Sequence, residues 1–234
     1  MEGNTGFDIY AGRDPKKLPL YTPTQASRIL RIPRNTLRSW IESNGLQAPL
    51  LKAAATQPVR LSFLNMIETK VVDILRSKPH RLKLQRIRNH IRYYSKSLGT
   101  DHPLAHKNLE TFAGDLFVRD EHDKLVNTSA GGQLAMKEIL SEFLERVEYD
   151  ADGLASKFFV FGQLTPSVDS PKVVAISPFI SFGRPAISGL GVTVDVIADR
   201  FACGESVDEI SRDYDATREE IEEALRFRIP RQAA

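Results

Sequence analysis

The residues best placed to do chemistry in this sequence are cations. Between Arg76 and Lys96 stand eight Lys and Arg residues (Arg76, Lys78, Arg81, Lys83, Arg86, Arg88, Arg92 and Lys96) and no acid. Arg88, Arg92 and Lys96 recur every four residues, so on a helix they form one row, and a like-charged row costs stability unless an anion neutralises it. DNA phosphate is the natural counterpart, RNA an alternative, and a solvated basic face the simpler explanation. A second group, Arg34, Asn35, Thr36, Arg38 and Ser39, mixes phosphate donors with residue types that read base edges. Arg28, Lys52 and Arg60 complete the expected DNA-binding set.

Helices must position these groups. Thr22-Pro23-Thr24-Gln25 starts one: Thr22 caps, Pro23 fits the first turn, Gln25 completes a capping box, and Ala26, Ile29 and Leu30 form the apolar face. Arg31-Ile32-Pro33 makes a turn, and a second helix follows with Leu37, Trp40 and Ile41 inward, which leaves the Arg34 to Ser39 group outward. The stretch from Pro49 to Phe63 holds two apolar runs around a Pro-containing connection, the pattern of a two-stranded wing flanked by Lys52 and Arg60. Leu64, Ile67, Val71, Ile74 and Leu75 then mark a core helix, and Leu84, Ile87, Ile91, Tyr94 and Leu98 mark the buried stripe of the basic one. The Pro-initiated first helix, the Ile-Pro turn and Thr36-Leu37-Arg38-x-Trp40 together resemble the winged helix-turn-helix of MerR-like regulators, over about forty residues.

The net charge of +2 conceals a division. Residues 1–97 carry 18 Lys and Arg against 6 Asp and Glu, a net of +12, and the remaining 14 against 24 give −10. The two halves should therefore meet different partners, nucleic acid for the first and protein for the second, unless they only attract each other. With 234 residues and 41% hydrophobic content the chain suits one large or two modest domains with a real core. A single cysteine, Cys203, leaves no disulfide framework or thiolate metal site, and there is neither a signal-peptide pattern nor an apolar run of membrane-spanning length. A cytoplasmic protein with no membrane partner follows.

Residues 1–20 read as a flexible arm, 21–98 as the basic DNA-binding domain, 99–180 as an α+β middle region and 181–234 as a C-terminal domain. In the middle region, apolar runs around Asp120-Glu121-His122-Asp123 suggest a hairpin, and Gln133–Tyr149 an amphipathic helix with Leu134, Ile139, Leu140, Phe143, Leu144 and Val147 inward. KFFVF, KVVAI and FISFG follow as three strand-like segments. In the last region Thr193 caps a helix with Val194, Ile197, Ala198 and Phe201 inward, Gly204 stops it, and the pairs Ser206/Glu209 and Thr217/Glu220 start two more near Val207 and Arg218. The fold class expected is α+β: a winged helix-turn-helix, a small mixed sheet with helices, and a C-terminal three-helix, helix-turn-helix-like bundle. From Arg184 to Glu223 the bundle carries 4 basic and 11 acidic residues, so a phosphate backbone would repel it.

The pattern Gly183-Arg-Pro-x-Ile-x-Gly, Val-x-Val-x-x-Ile, Gly204-Glu-Ser-x-x-Glu-Ile, Asp213-Tyr and Thr217-x-Glu-x-Ile-x-x-Ala-Leu resembles a bacterial family long catalogued as of unknown function, whose members are assigned to VapB-type antitoxins. That resemblance implies binding to a PIN-like ribonuclease toxin, autorepression on operator DNA, and a homodimer or higher hetero-oligomer with the toxin. It also makes Arg226, Arg228 and Arg231 candidates to enter the toxin's active site and displace its cation, with the acidic lobe as the other candidate surface. The alternative is a stand-alone MerR-like transcription regulator whose C-terminal lobe senses a ligand or protein.

No constellation points to catalysis. Gly189-Leu190-Gly191 lacks the further glycines and Lys of a phosphate loop, and the many carboxylates sit in helix first turns and on outer faces. His102 and His106 share a spacing of four, but Pro103 intervenes and no third ligand is near. Cys203 is expected to be buried beside Phe201. A non-enzyme without metal or cofactor is the reading.

Overall fold

The computed structural model describes residues 10–43, 45, 48–77, 82–109, 139–160 and 171–228. After a short helical turn at Pro15–Lys17, α1 (Pro23–Leu30) and α2 (Arg34–Ile41) form a helical pair, followed by a two-stranded antiparallel ribbon, β1 (Ala55–Thr56) and β2 (Val59–Arg60), with a cis Gln57–Pro58 bond in its turn. The long helices α3 (Phe63–Arg76) and α4 (Leu84–Leu98) come next. An antiparallel sheet in the order β3 (Val147–Tyr149), β4 (Ala155–Phe159), β5 (Val174–Ile176), β6 (Ala186–Ile187) then leads to α5 (Val194–Ala202), α6 (Val207–Tyr214) and α7 (Arg218–Arg228). The α+β class expected from the sequence is the class observed, and every described strand pair is antiparallel.

Helix α3 is the centre. Phe63, Leu64, Met66, Ile67, Val71, Val72, Ile74 and Leu75 are all buried, at about 1.5–3 kcal/mol for each large side chain. Its start is fixed by Ser62 and Asn65, which accept each other's backbone amides. From α3 one apolar core continues without a break to Phe158 and Ile176 of the sheet and to Ile197, Ile210, Ile221 and Ala224 of the last three helices. The charge-divided halves are thus one packed body.

Several expectations change at this level. Of the helix foreseen over Gln133–Tyr149, residues 133–138 lie outside the described residues; 139–144 are helical and the helix then breaks, because Arg146 turns inward to donate to the carbonyls of Phe159 (3.0 Å) and Pro171 (2.9 Å) while Val147–Tyr149 pairs with β4. FISFG is not a strand: Ser177-Pro178-Phe179-Ile180 is a tight turn closed by Ile180 N–H on the Ser177 carbonyl, and β6 begins only at Ala186. The arm ends earlier than residue 20, since Lys16 is buried against Asp150 and the Tyr10 hydroxyl donates to the Pro178 carbonyl at 2.6 Å. Residues 1–9 and the hairpin foreseen around Asp120–Asp123 lie outside the described residues.

Candidate nucleic-acid interface

The capping box at the start of α1 is present in both directions, Gln25 N–H on Thr22 Oγ1 at 3.1 Å and Thr22 N–H on Gln25 Oε1 at 2.9 Å. The turn is set by Arg31 in the left-handed region (φ 57°), with Ile32 N–H on the Ser27 carbonyl and Ser27 Oγ donating back to the Ile32 carbonyl at 2.6 Å. Leu37, Trp40 and Ile41 of α2 face the core as expected. The outer face is therefore Arg34, Asn35, Arg38 and Ser39, all exposed, with Thr36 half-buried. Arg38 is drawn into an ion pair with Glu42 (2.8 Å) and Ser39 Oγ donates to the Thr36 carbonyl, whereas Arg34 and Asn35 make no side-chain bond among the described residues. Of the five, Arg34 and Asn35 are the exposed ones whose side chains no other described residue engages.

The ribbon is tied to α3 by Asn65, whose carboxamide oxygen accepts from Ala54 N–H (3.1 Å) and whose nitrogen donates to the Lys52 carbonyl (3.0 Å). Lys52 itself is exposed and Arg60 half-buried, neither bonded by its side chain among the described residues. The sequence reading missed Asn65 as the pin, although its place three residues after Ser62 was a signal for it. On α4, Ile87 and Tyr94 are buried, and Lys83, Arg92 and Lys96 are exposed without a partner among the described residues. Arg88 reaches across to the Ala48 carbonyl at 2.9 Å, which brings the basic helix against the segment following α2. Arg28 is exposed on α1 and Arg86 is half-buried; Arg81 lies outside the described residues.

The C-terminal helices begin where the sequence placed them. Glu209 N–H on Ser206 Oγ and Glu220 N–H on Thr217 Oγ1 are both 3.2 Å, each box returned by the carboxylate, and the bonds to Ser206 hold the Glu209 carboxyl below the usual range. Four of their five arginines are matched internally by carboxylates: Arg200 with Glu205 and Asp213, Arg218 with Asp208 and Glu222, Arg226 with Glu222 (3.0 Å) and Glu223 (2.9 Å), Arg228 with Asp195 (3.0 Å). Arg226 and Arg228 thus belong to α7 and already hold carboxylates; Arg231 lies outside the described residues. Two placements differ from expectation: Phe201 is 48% exposed and Cys203 is exposed at the helix end, because α5 presents only Val194 and Ile197 to the core. Residues 181–183 are all left-handed (φ 48°, 53° and 78°), at about 1–2 kcal/mol for a non-glycine residue. They are held by Ser181 Oγ on the Gly191 carbonyl and by Tyr21 Oη on the Gly183 carbonyl, both 2.8 Å. Tyr21 is buried, which pushes its phenol up, and a side chain at Gly183 would come within 2.3 Å of that hydroxyl.

With this geometry in view, the comparisons fall into two levels. The family described as a protein of unknown function (DUF433) matches residues 174–227, so its unit begins at β5 and takes in the left-handed turn as well as the three helices. Over nearly the whole chain, the sequence is 27% identical to "Putative antitoxin VapB45" of Mycobacterium tuberculosis (strain ATCC 25618 / H37Rv), covering 89% of this chain and 93% of that protein. The crystal structure of Rv2018 from Mycobacterium tuberculosis superposes with a TM-score of 0.67 at 25% identity, covering 89% of this chain and 98% of that one. Among the described residues no helix is long and apolar enough to cross a membrane.

Proposed function

We propose that this chain is the antitoxin of a toxin–antitoxin pair, which binds and silences a PIN-like ribonuclease and represses its own operon by binding operator DNA as a homodimer or as a higher complex with the toxin. The observation that carries this reading is the likeness to a protein named as an antitoxin across almost the full length of both chains. Cations without a carboxylate partner among the described residues support its DNA half: Arg34 on α2, beside the neutral donor Asn35, Lys52 and Arg60 at the MerR-like wing, and Arg92 and Lys96 on α4. Phosphate contacts from Arg92 and Lys96 would fix position, and Arg34 and Asn35 would read bases. A tail that displaces the toxin's metal would have to strip Arg226 and Arg228 from Glu222, Glu223 and Asp195 first, so truncation after Phe227 should leave inhibition intact.

The test is co-expression with the protein encoded beside this chain. Co-elution in size exclusion, suppression of its ribonuclease activity and a shared shift of operator DNA are the expected outcomes; a chain that shifts DNA but neither binds nor silences that protein overturns the antitoxin reading. One observation favours a second reading, a ligand-sensing regulator: a cleft of about 360 Å³ between the end of α4 and the loop before β4, lined by Lys17, Asp101, His106 and Asp152. DNA affinity that changes with a small metabolite and not with the neighbouring protein would favour it.

A further inference from the structure

The turn that follows β5 holds two Phe rings in solvent, Phe179 at 55% and Phe182 at 57% exposure. Single exposed Phe residues are ordinary, but these stand on a backbone built to display them. Phe179 is the outer corner of the Ser177–Ile180 turn, and Phe182 sits between two other left-handed residues. An ordinary extended connection would carry no such strain. Here Ser181 Oγ, the buried Tyr21 hydroxyl and the close packing of Gly183 on Tyr21 hold the display fixed. Tyr10 joins from the other end of the chain, its ring edge-on to Phe182 at 6.1 Å and its hydroxyl on Pro178.

Charge says what would cover this surface. Arg13, in the turn with Tyr10, and Arg184, beside Gly183, are exposed and neither meets a carboxylate among the described residues. The arginines of α5–α7 are, by contrast, all but one paired with acids of that module, with Arg212 donating to a carbonyl. Fixed aromatic rings flanked by unpaired Arg have the composition of a protein-binding hot spot, and rigid rings lose little freedom on docking. Two cations are too few for a nucleic-acid track, which needs a continuous basic groove.

We propose that Phe179 and Phe182, buttressed by Tyr10, are the anchor on which the protein partner seats, the rings entering an apolar pocket whose carboxylate rim meets Arg13 and Arg184. This rests on the antitoxin reading, and the partner is the ribonuclease of that pair. The test uses the full chain and the protein encoded beside it, with affinity measured by titration calorimetry. Phe179→Ser with Phe182→Ser should weaken binding by about thirtyfold or more, while DNA affinity and the thermal midpoint stay at the parent values. Arg13→Glu with Arg184→Glu, which removes no apolar surface, should weaken it about tenfold and reverse its dependence on salt. If the parent binds and both double variants bind within threefold of it, the anchor is wrong and the antitoxin reading stands. If the parent itself does not bind, both fall.

Discussion

On the C-terminal bundle Arg200, Arg218, Arg226 and Arg228 each sit against a carboxylate of the same bundle, whereas Arg28, Arg34, Arg60, Arg92, Lys52, Lys83 and Lys96 of the N-terminal half sit against none among the described residues. The two regions thus solve the same problem in opposite ways. A helix with its charges matched is content in solvent and offers a partner little electrostatic gain. A face with its cations unmatched repels itself until a polyanion arrives, so its binding should be governed by counterion release. On the proposed reading, recognition by the C-terminal region should then come chiefly from shape and apolar surface, and by the N-terminal region from charge.

The contrast breaks most easily at its electrostatic end. Between 50 and 200 mM salt, DNA affinity should fall on the order of a thousandfold if about six to ten phosphates are neutralised, and Arg92→Ala with Lys96→Ala should reduce the slope of log affinity against log salt by about two for every sequence alike. A salt-independent affinity would remove the basis for assigning the basic face to nucleic acid. Arg34→Ala or Asn35→Ala should act differently, costing about 1–3 kcal/mol against the preferred sequence and much less against others, as a binding-site selection would reveal.

Smaller effects sharpen the comparison at the junction. Tyr21→Phe leaves the buried Gly183 carbonyl without its donor and should cost about 1–3 kcal/mol in denaturant unfolding. A single transition that moves as a whole would agree with one continuous core; separate transitions for the two charge regions would contradict it. Ser206→Ala removes one half of a capping box and should cost about 1 kcal/mol, confined by hydrogen exchange to α6.

The smallest effect is one of pH. Burial opposes charge on His102, but the bond to Glu68 (3.1 Å) and that carboxylate's charge, with Asp101 adding and Lys17 subtracting, hold the imidazole above its ordinary 6.5. A folded-state value above the unfolded one means stability fully present below pH 6.5 and lost as pH rises through the folded value. The thermal midpoint should therefore decline over that window, and His102→Gln should flatten the decline.

Features whose partners lie within four residues were legible without coordinates. The capping boxes at Thr22, Ser206 and Thr217, the glycine stop at Gly204 and the inward stripes of α2, α3 and α4 are set by local hydrogen bonds and helical period, and each stands where the residues put it. Distant partners were not legible. Arg146 leaves the helix foreseen through Tyr149 because the carbonyls it satisfies belong to Phe159 and Pro171, and Lys16 is buried because Asp150 waits 134 residues on. Phe182 has a residue type that favours a strand, yet its backbone is fixed by Tyr21 and Gly191 from elsewhere in the fold.

Sequence alone, then, determined the helix starts at Thr22, Thr193, Ser206 and Thr217, the sorting of charge and the α+β class, since these follow from composition and short-range bonding. Only the tertiary structure decided which cations lack a carboxylate among the described residues, that the two charged halves share one core, and that a pair of Phe rings is held out in water, because each depends on groups brought together from far along the chain.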